Sequence, residues 1–428
     1  MDDILIQNVI ALLPDENGAA GKTCSVAVKD GCIRAVLPAD TGSEAARVID
    51  GRGGLLTPGL VNAHTHAYMT GMRCWADDLK FDDWLFGRVM PKEDALTPED
   101  ACIFSLLGCL EMLSGGVTAY LDMHMFPGAS PRAALESGMR GVISRGLSGG
   151  GDDTAGGVRR LREAREEFAQ YKNEKRLSFM LAPHAPYTCT EDYLREIAQA
   201  AAELDLGIHT HLSETQGEVE TVLKEKGCTP IGLFDRCGLL TNRTVAAHCV
   251  HLTEADMDIL AERGVSVATN PASNLKLANG FAPVPELLQK GVNVCLGTDS
   301  TASNNSLSVL RELSLVTLLH KGRTGDPCCV TAQEGFRMAT VNGYRALGLS
   351  GGEIKEGAPA DLALFDLNAP GLVPLGDPAA ALAYAGQSLR ARTVLVDGCV
   401  VWDGFCSTLV DTEKVFFEAR RACARLGM

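Results

Sequence analysis

The feature that most constrains this chain is an alternation of short apolar segments with helical stretches through its middle. Eight segments are typical of strands: LLTPGLVNAH, GVTAYLDMH, GMRGVISRGL, RLSFMLAPH, LGIHTHL, TVAAHCVH, GVSVATN and GVNVCLGTD. Most are followed by a helical pattern, such as DYLREIAQAAAEL. Eight strand-then-helix units predict an α/β fold, a (β/α)8 barrel of the TIM type. The active site of such a barrel lies at the carboxyl ends of its strands.

Both ends of the chain differ from this pattern, because short strand-like segments separated by turns replace the helices. ILIQNVIALL and CSVAVKDGCIRAVLP lie near the start, and RARTVLVDGCVVWDG lies near the end. We therefore expect residues 1–56 and 353–428 to form one small β domain around a barrel at 57–352, with a C-terminal helix in the last segment. Two separate β flaps are the alternative.

Composition excludes several classes of protein. The 428-residue chain has a formal net charge of −15, so it lacks the positive surface that binds nucleic acids and anionic membranes. No apolar run reaches the roughly 18 residues of a membrane-spanning helix, and the acidic N-terminus is unlike a signal peptide. The 15 cysteines are scattered through apolar segments without a CxxC pair, which indicates reduced, buried thiols in a cytoplasmic protein.

Histidines are concentrated at the predicted strand ends. Only nine occur, and seven lie at or near the ends of strands 1, 4, 5 and 6: His64, His66, His184, His209, His211, His248 and His251. Strand 8 ends in Asp299. Residues i and i+2 of a strand point to one face, so His64 and His66 project together. Imidazoles from strands 1, 5 and 6 with a carboxylate from strand 8 suit zinc or another divalent transition metal, with one position left for water.

Each of these residues has a simpler explanation when it is taken alone. An isolated HxH pair is often incidental, and His209 competes with His211 because both lie on one strand face. Asp299 could cap the helix that follows it, and Glu214 could only favour a helix N-terminus through its charge. His184 could be a satisfied polar group beside two prolines. The remaining histidines are interpreted as structural: His124, His251 and His320.

Seven motifs make the chain similar to a known family: PGLVNAHTHAYM, DDWLFGRVMPKEDALT, APHAPYTC, HTHLSET, AAHCVHL, NPASNLKLANG and LGTDSTASNNSL. They span nearly the whole chain. The chain resembles the amidohydrolase superfamily and, within it, the deaminases that act on 5'-methylthioadenosine and S-adenosylhomocysteine. The resemblance implies a barrel with a small β-sandwich built from both termini. It also implies four metal ligands: His64, His66, His211 and Asp299.

The chemistry of such a deaminase agrees with the residues at the strand ends. Attack at C6 of adenine needs a strong nucleophile at neutral pH, and a divalent metal provides one by acidifying water. Glu214 would be the proton shuttle that protonates ring N1, while His248 and Asp299 would hold and deprotonate the water. Strand 4 ends at His184 and not at a lysine, so a bridging carbamylated lysine with a second metal is not expected. We predict one divalent ion, with zinc favoured and iron(II) as the alternative.

The resemblance also implies which residues bind the substrate. Glu93 would receive ribose hydroxyls, His184 would contact the nucleoside, and Arg145 would face the far end, with Arg160 as a second candidate. Arg160 follows the glycine-rich stretch GGGDDTAGG, which lacks the GK[ST] ending of a phosphate-binding loop and is interpreted as a mobile lid over residues 148–157. A solvated helix face explains Arg160 equally well.

Three functions are compatible with the sequence. The first is deamination of an adenosine-type nucleoside (5'-methylthioadenosine, S-adenosylhomocysteine, adenosine or 5'-deoxyadenosine) to the inosine analogue and ammonia. The second is a related mononuclear amidohydrolase acting on guanine, cytosine or an s-triazine, and the third is a catalytically silent barrel scaffold. The full ligand set with Glu214 argues against a scaffold, and Glu93 with NPASNLKLANG favours a nucleoside as the partner. Relatives of this kind often associate, so a homo-oligomer is expected.

Overall fold

The computed structural model describes residues 1–16, 18–39, 41 and 44–428, and the strands of this part of the chain form two eight-stranded sheets. One sheet combines both ends of the chain: β1 (Asp2–Asp15), β2 (Gly18–Lys29), β3 (Cys32–Pro38), β4 (Ala45–Pro58), β13 (Leu362–Phe365), β14 (Ala391–Val396), β15 (Cys399–Asp403) and β16 (Cys406–Ser407). The other sheet comes from the middle: β5 (Leu60–Thr65), β6 (Val117–His124), β7 (Arg140–Leu147), β8 (Leu177–Pro183), β9 (Gly207–Leu212), β10 (Thr244–His248), β11 (Ser266–Thr269) and β12 (Asn293–Leu296).

The sheet from the middle of the chain is a closed parallel barrel. Its strands are hydrogen-bonded in chain order, and every neighbouring pair is parallel. The barrel closes where Thr65 and Asp299 form a parallel bridge and the amides of Thr298 and Asp299 donate to the carbonyl of His64. The predicted TIM-type fold is confirmed, and all eight predicted strands occur in it.

The first predicted strand is divided between the two sheets. The sequence predicts one strand over residues 55–64, but Leu55–Pro58 belong to β4, and β5 begins at Leu60. The chain passes from one sheet to the other at Gly59, where a Cβ atom would lie 1.9 Å from Oγ1 of Thr118. Glycine permits this close approach because it has no side chain.

The two chain ends meet in one sheet, as predicted, and not in two separate flaps. The strand order is β16-β15-β14-β13-β4-β1-β2-β3. The join between the ends is the antiparallel pairing of β13 with β4, in which Leu362 lies opposite Pro58. The sheet therefore holds the start of the barrel, immediately after Pro58, against the C-terminal part of the chain.

The described ranges contain sixteen α-helices, and most barrel strands are followed by one or more of them. They are α1 (Phe81–Trp84), α2 (Met90–Glu93), α3 (Pro98–Ser114), α4 (Ala129–Ser137), α5 (Thr154–Tyr171), α6 (Glu191–Leu204), α7 (Gln216–Lys226), α8 (Pro230–Arg236), α9 (Glu254–Arg263), α10 (Pro271–Lys276), α11 (Val284–Gln289), α12 (Val309–Thr324), α13 (Ala332–Ala339), α14 (Val341–Ala346), α15 (Pro378–Ala385) and α16 (Thr412–Leu426). None of the helices in the described ranges is both long and apolar enough to cross a membrane.

Apolar side chains fill part of the barrel interior. Val61, Val142, Val245 and Cys295, from four different strands, belong to one buried cluster that includes Tyr344 of α14. The carboxyl ends of the strands differ, because buried histidines and acids replace the apolar side chains there. This rim is where barrels of this type carry their chemistry.

Candidate active site

A cavity of about 420 Å³ opens at the carboxyl ends of the barrel strands. His66, His211, His248 and Asp299 line it. His64 is fully buried beside them, and its ring centroid lies 5.1, 5.0 and 5.4 Å from those of His66, His211 and His248. The structure therefore brings together the imidazoles of the first, fifth and sixth barrel strands and the acid that follows the eighth.

Backbone irregularities accompany these side chains. A bulge in β5 places two residues, Ala63 and His64, opposite one residue of β6, and such bulges re-aim side chains next to active sites. His248 and Asp299 have φ angles of 70° and 59°, in the left-handed region that favours glycine. Residues held in this region cluster at functional sites, where the surrounding hydrogen bonds over-determine their conformation.

Hydrogen bonds to carbonyl groups fix the proton positions of two histidines. Nδ1 of His66 donates to the carbonyl oxygen of Met123 over 2.7 Å, and Nδ1 of His211 donates to that of His184 over 2.7 Å. A carbonyl can only accept, so Nδ1 of each ring carries a proton, and in the neutral form of the ring Nε2 carries a lone pair. The two Nε2 atoms lie 3.2 Å apart. Two lone pairs at this distance repel unless a cation or a proton lies between them.

Asp299 completes this group of facing atoms. Its Oδ1 lies 3.5 Å from Nε2 of His64 and 3.5 Å from Nε2 of His66. The Nε2 atom of His64 is buried without a hydrogen-bond partner. Three imidazole nitrogens and one carboxylate oxygen are a ligand set that fits a divalent transition metal, so the residues suit a metal site.

A second grouping of potential ligands overlaps the first. Ligand atoms of His64, His66 and Asp299 lie within 4.8 Å of one another, and so do those of His64, His211 and His248. Nε2 of His248, however, also lies 3.8 Å from Oε2 of Glu214. His248 thus stands between the potential metal position and Glu214, where it can contact a water or a substrate atom.

Burial favours the neutral form of three histidines of the site. It lowers the pKa of His64 to about 3 and that of His184 to about 4, and it holds the pKa of His211 well below its ordinary value. For Asp299, burial would raise the pKa, but the surrounding histidines outweigh burial and hold the pKa well below its usual range. Neutral imidazoles and an ionised carboxylate are the forms in which these groups bind a metal.

Glu214 and His248 have shifted proton affinities. Burial raises the pKa of Glu214. Burial also opposes protonation of His248, but the carboxylates of Glu214 and Asp299 outweigh it and raise the pKa of His248. A buried acid and base that face each other across 3.8 Å can exchange a proton with a bound molecule.

One short segment, α10 with the turn after it, holds three of these polar groups. Oγ of Ser273 donates to Oδ2 of Asp299 over 2.6 Å. The side-chain oxygen of Asn274 accepts from Nδ1 of His248 over 2.9 Å. Nδ2 of Asn279 donates to Oε1 of Glu214 over 3.0 Å. The motif NPASNLKLANG therefore orients Asp299, His248 and Glu214 together.

Glu218 orients the backbone that carries Glu214. Its carboxylate accepts the amides of Ser213 and Glu214 over 2.7 and 2.9 Å, and burial raises its pKa to about 7. The N-cap of α7 is Thr215, whose side chain accepts from the amide of Glu218. Glu214 precedes this cap and faces the cavity, so the alternative that it only favours the helix N-terminus does not describe its position.

The residues expected to bind substrate also line the cavity. Glu93 accepts a hydrogen bond from the hydroxyl of Tyr68, and burial raises the pKa of Glu93. Nδ1 of His184 lies 3.2 Å from Oγ1 of Thr188. Trp84 lines the cavity and its indole nitrogen donates to the carbonyl of Ala302. The cavity lining therefore combines aromatic side chains with a carboxylate.

Both arginines line the cavity, but each already has an acidic partner. Nη2 of Arg145 lies 3.0 Å from Oε2 of Glu163, and its Nη1 donates to the carbonyl of Gly146 over 2.7 Å. Nη1 of Arg160 donates to Asp153 over 2.6 Å. Sequence reasoning missed Glu163, which lies 18 residues from Arg145 and meets it only because α5 packs on β7.

Residues at the start of the glycine-rich stretch are attached to the barrel rim. The amide of Gly149 donates to the carbonyl of Thr188, and the amide of Thr190 donates to the carbonyl of Gly149. Gly150 has a φ of 89°, and a Cβ there would lie 1.9 Å from Oγ1 of Thr190. Glycine is required at this point by both the conformation and the close approach. That the stretch acts as a lid stays a prediction.

The chain is similar in sequence to known proteins. The profile of the amidohydrolase family matches residues 55–401. A 5-methylthioadenosine/S-adenosylhomocysteine deaminase of Dictyoglomus thermophilum is 44% identical over 383 residues, covering 89% of each chain. A 5'-deoxyadenosine deaminase of Methanosarcina acetivorans is 39% identical over 428 residues, covering 100% of this chain and 99% of the relative.

A solved structure extends the similarity to the whole fold. The crystal structure of an adenosine deaminase from Xanthomonas campestris with bound zinc has a TM-score of 0.94 to this chain at 33% identity, covering 100% of this chain and 99% of that one. The family that the seven motifs predicted is thus confirmed: the chain belongs to the amidohydrolase family.

Proposed function

We propose that this protein is a metal-dependent hydrolytic deaminase of adenosine-type nucleosides. It would convert 5'-methylthioadenosine, S-adenosylhomocysteine, adenosine or 5'-deoxyadenosine to the inosine analogue and ammonia. The observation that carries the proposal is the convergence of three imidazole nitrogens and the Asp299 carboxylate beside Glu214 and His248. The names of the relatives support this reaction and this class of substrate.

We assign one divalent ion, preferably zinc, to His64, His66, His211 and Asp299. The fit rests on the two facing Nε2 lone pairs of His66 and His211 and on the unpartnered Nε2 of His64. When bound, the ion supplies Lewis-acid activation of a water molecule at neutral pH. The residue that follows β8 is His184 and not a lysine that could bridge two ions, which supports a single ion.

The protein side chains then manage the protons. Burial raises the pKa of Glu214 and so favours its protonated form, which would donate a proton to N1 of the adenine ring and make C6 more electrophilic. Asp299 and His248 would hold the attacking water and take one of its protons, which is passed to the amine as the C6–N bond breaks and ammonia leaves. The second proton of the water would return to Glu214 as the C6 carbonyl forms. Because Asn274 accepts from Nδ1 of His248, the Nε2 atom is the one that faces the reaction.

The position of Glu93 supports a nucleoside over a free base. Its carboxylate lines the cavity and is held by the Tyr68 hydroxyl, so it can accept hydrogen bonds from two ribose hydroxyls. Guanine, cytosine and s-triazines have no ribose to offer. A related amidohydrolase acting on such rings is therefore the second candidate, and a silent scaffold is disfavoured by the intact set of polar groups.

A panel of substrates tests the proposal. The purified protein would be incubated with the four adenosine-type nucleosides, guanine, cytosine and an s-triazine, while ammonia release and metal content are measured together. We expect ammonia with the inosine analogues in equal amounts. Turnover of a free base or triazine alone would select the second candidate, and a metal-loaded protein without any turnover would select the scaffold.

Asn279→Ala should lower kcat by roughly 10-fold. The expected loss is only part of the contribution of a general acid, because Glu214 itself remains. The substitution removes the donor that holds Oε1 of Glu214 and therefore leaves the carboxyl free to rotate. KM and metal content should change little. Steady-state kinetics would be compared with Asn293→Ala, which removes an amide bonded to Ser266 on the barrel wall. Equal kcat values for the two variants would exclude the positioning role of Asn279.

Arg145→Met should weaken S-adenosylhomocysteine selectively. Its amino-acid tail carries a carboxylate, and the planar guanidinium of Arg145 lies in the cavity wall. The carboxylate of the tail would share the guanidinium with Glu163, and the ammonium group of the tail can form an ion pair with the Glu163 carboxylate. We expect kcat/KM for S-adenosylhomocysteine to fall roughly 10- to 150-fold. This corresponds to a loss of about 1.5–3 kcal/mol in transition-state stabilisation, the scale of a charged hydrogen bond. 5'-Methylthioadenosine and adenosine should change much less.

The control for this prediction is Arg165→Met, which removes an exposed ion pair with Glu203 on α5 and α6. It should leave all three kcat/KM values near those of the parent. A uniform fall for Arg145→Met across the three substrates would instead mean that Arg145 braces β7 or meets the ribose.

A further inference from the structure

We infer that His209 is a positioning residue for the proposed metal site, because it fixes which nitrogen of His64 is free to bind. The inference rests on the proposed function, since it concerns the ion that the function requires. His209 is fully buried, does not line the cavity and has both ring nitrogens in hydrogen bonds. It is therefore not an alternative to His211 as a cavity-facing ligand.

A chain of three buried hydrogen bonds sets the proton positions. Oγ of Ser144 donates to the carbonyl oxygen of Asp122 over 2.8 Å, and this uses its single proton. Nδ1 of His209 lies 2.8 Å from the same Oγ and must therefore be the donor. In the neutral His209 ring, Nε2 is then an acceptor.

The last bond passes this assignment to His64. Nδ1 of His64 lies 2.8 Å from Nε2 of His209, so it must donate its proton there. The Nε2 atom of His64 is left with a lone pair, and it is the atom that is buried without a partner and lies 3.5 Å from Oδ1 of Asp299. Ser144 and His209 thus aim an acceptor, and not an N–H, at the metal position.

His64 differs in this respect from the other two histidines. His66 and His211 donate to main-chain carbonyls, which no substitution removes. The proton position of His64 depends instead on two side chains. His209 bonds directly to Nδ1 of His64, and Ser144 bonds to His209. A partner of this kind, bonded to a ligand's second nitrogen, typically contributes 10- to 100-fold to metal affinity.

His209→Leu tests the inference through metal retention. The variant leaves Nδ1 of His64 buried without an acceptor, so the lone pair on Nε2 is no longer enforced. Zinc-loaded parent and variant would be titrated with a chelating dye, and we expect affinity for zinc to fall by roughly 10- to 100-fold. His209→Gln, whose amide oxygen can accept from His64, should recover part of the loss.

His320→Leu is the matched control, because it removes a buried histidine on α12 that has no bond to the site. It should retain zinc like the parent. Ser144→Ala provides a second test if His209→Leu fails to fold. Without the hydroxyl, the proton of His209 can lie on either Nδ1 or Nε2, so zinc affinity should fall by several-fold.

The outcomes separate this inference from the proposed function. Parent-like zinc affinity in folded His209→Leu and in Ser144→Ala, with a parent that binds zinc and deaminates, would overturn the positioning role alone. An equal loss in His320→Leu would overturn it too, since any buried histidine would then suffice. A parent that holds no divalent metal would overturn both the inference and the proposed function.

Discussion

Glu214→Gln should reduce kcat for deamination by roughly 10²-fold or more, with nearly unchanged metal content. Glutamine keeps the shape of the side chain, but its amide protons are not acidic enough to be transferred to ring N1. The site is built around this proton: Asn279 holds Oε1, and Oε2 faces His248 at 3.8 Å. Burial raises the pKa of the carboxyl and thus favours the protonated form.

The matched control is Glu220→Gln, which changes an exposed glutamate on the outer face of α7. Its kcat should equal that of the parent. Substrate binding by Glu214→Gln, measured with a product analogue, should remain because the amide can still hydrogen-bond. If this variant turned over at close to the parent rate, another group would be the proton donor and the assignment of Glu214 would be wrong.

The sequence predicts the barrel and the core of the candidate site for the same reason. In a parallel barrel, the carboxyl ends of all strands meet at one rim, so strand positions suffice to bring His66, His211, His248 and Asp299 into one cavity. No distance between them has to be known. The two-residue period of a strand also predicts that His64 and His66 lie together, although β5 is bulged at His64 and ends at Thr65.

What the sequence does not predict depends on where side chains end after packing. Asn274 and Asn279 belong to a recognisable motif, but their partners His248 and Glu214 come from other strand ends. The pairing of Arg145 with Glu163 is similar, because helix register decides which residue of α5 reaches β7. The division of the first predicted strand at Gly59 was also hidden, since an apolar run continues across it.

His209 shows the limit of the strand rule. The period of two places His209 and His211 on one face, so both are candidate ligands from sequence alone. The structure separates them by depth: His211 reaches the cavity, whereas His209 lies below and bonds to His64 and Ser144. Depth along a barrel strand follows from the stagger of its neighbours, and no local motif records it.

His211→Ala and Asp299→Ala should each remove the metal together with the activity. Each substitution deletes one of four proposed ligands from a buried site and leaves the remaining lone pairs without a full coordination shell. Elemental analysis of the purified parent should give about one zinc-like ion per chain. The two variants should give little or none, and their deaminase activity should fall to background even when zinc is added in modest excess.

Two comparisons make this prediction specific to the assigned ligands. His251→Ala removes a histidine just beyond β10 that does not line the cavity, and it should retain both metal and activity. Full occupancy in His211→Ala and Asp299→Ala would reject these two residues as ligands. A single ion is proposed because His184 stands where a lysine bridging two ions would be needed. A consistent value near two ions per parent chain would therefore contradict the mononuclear site.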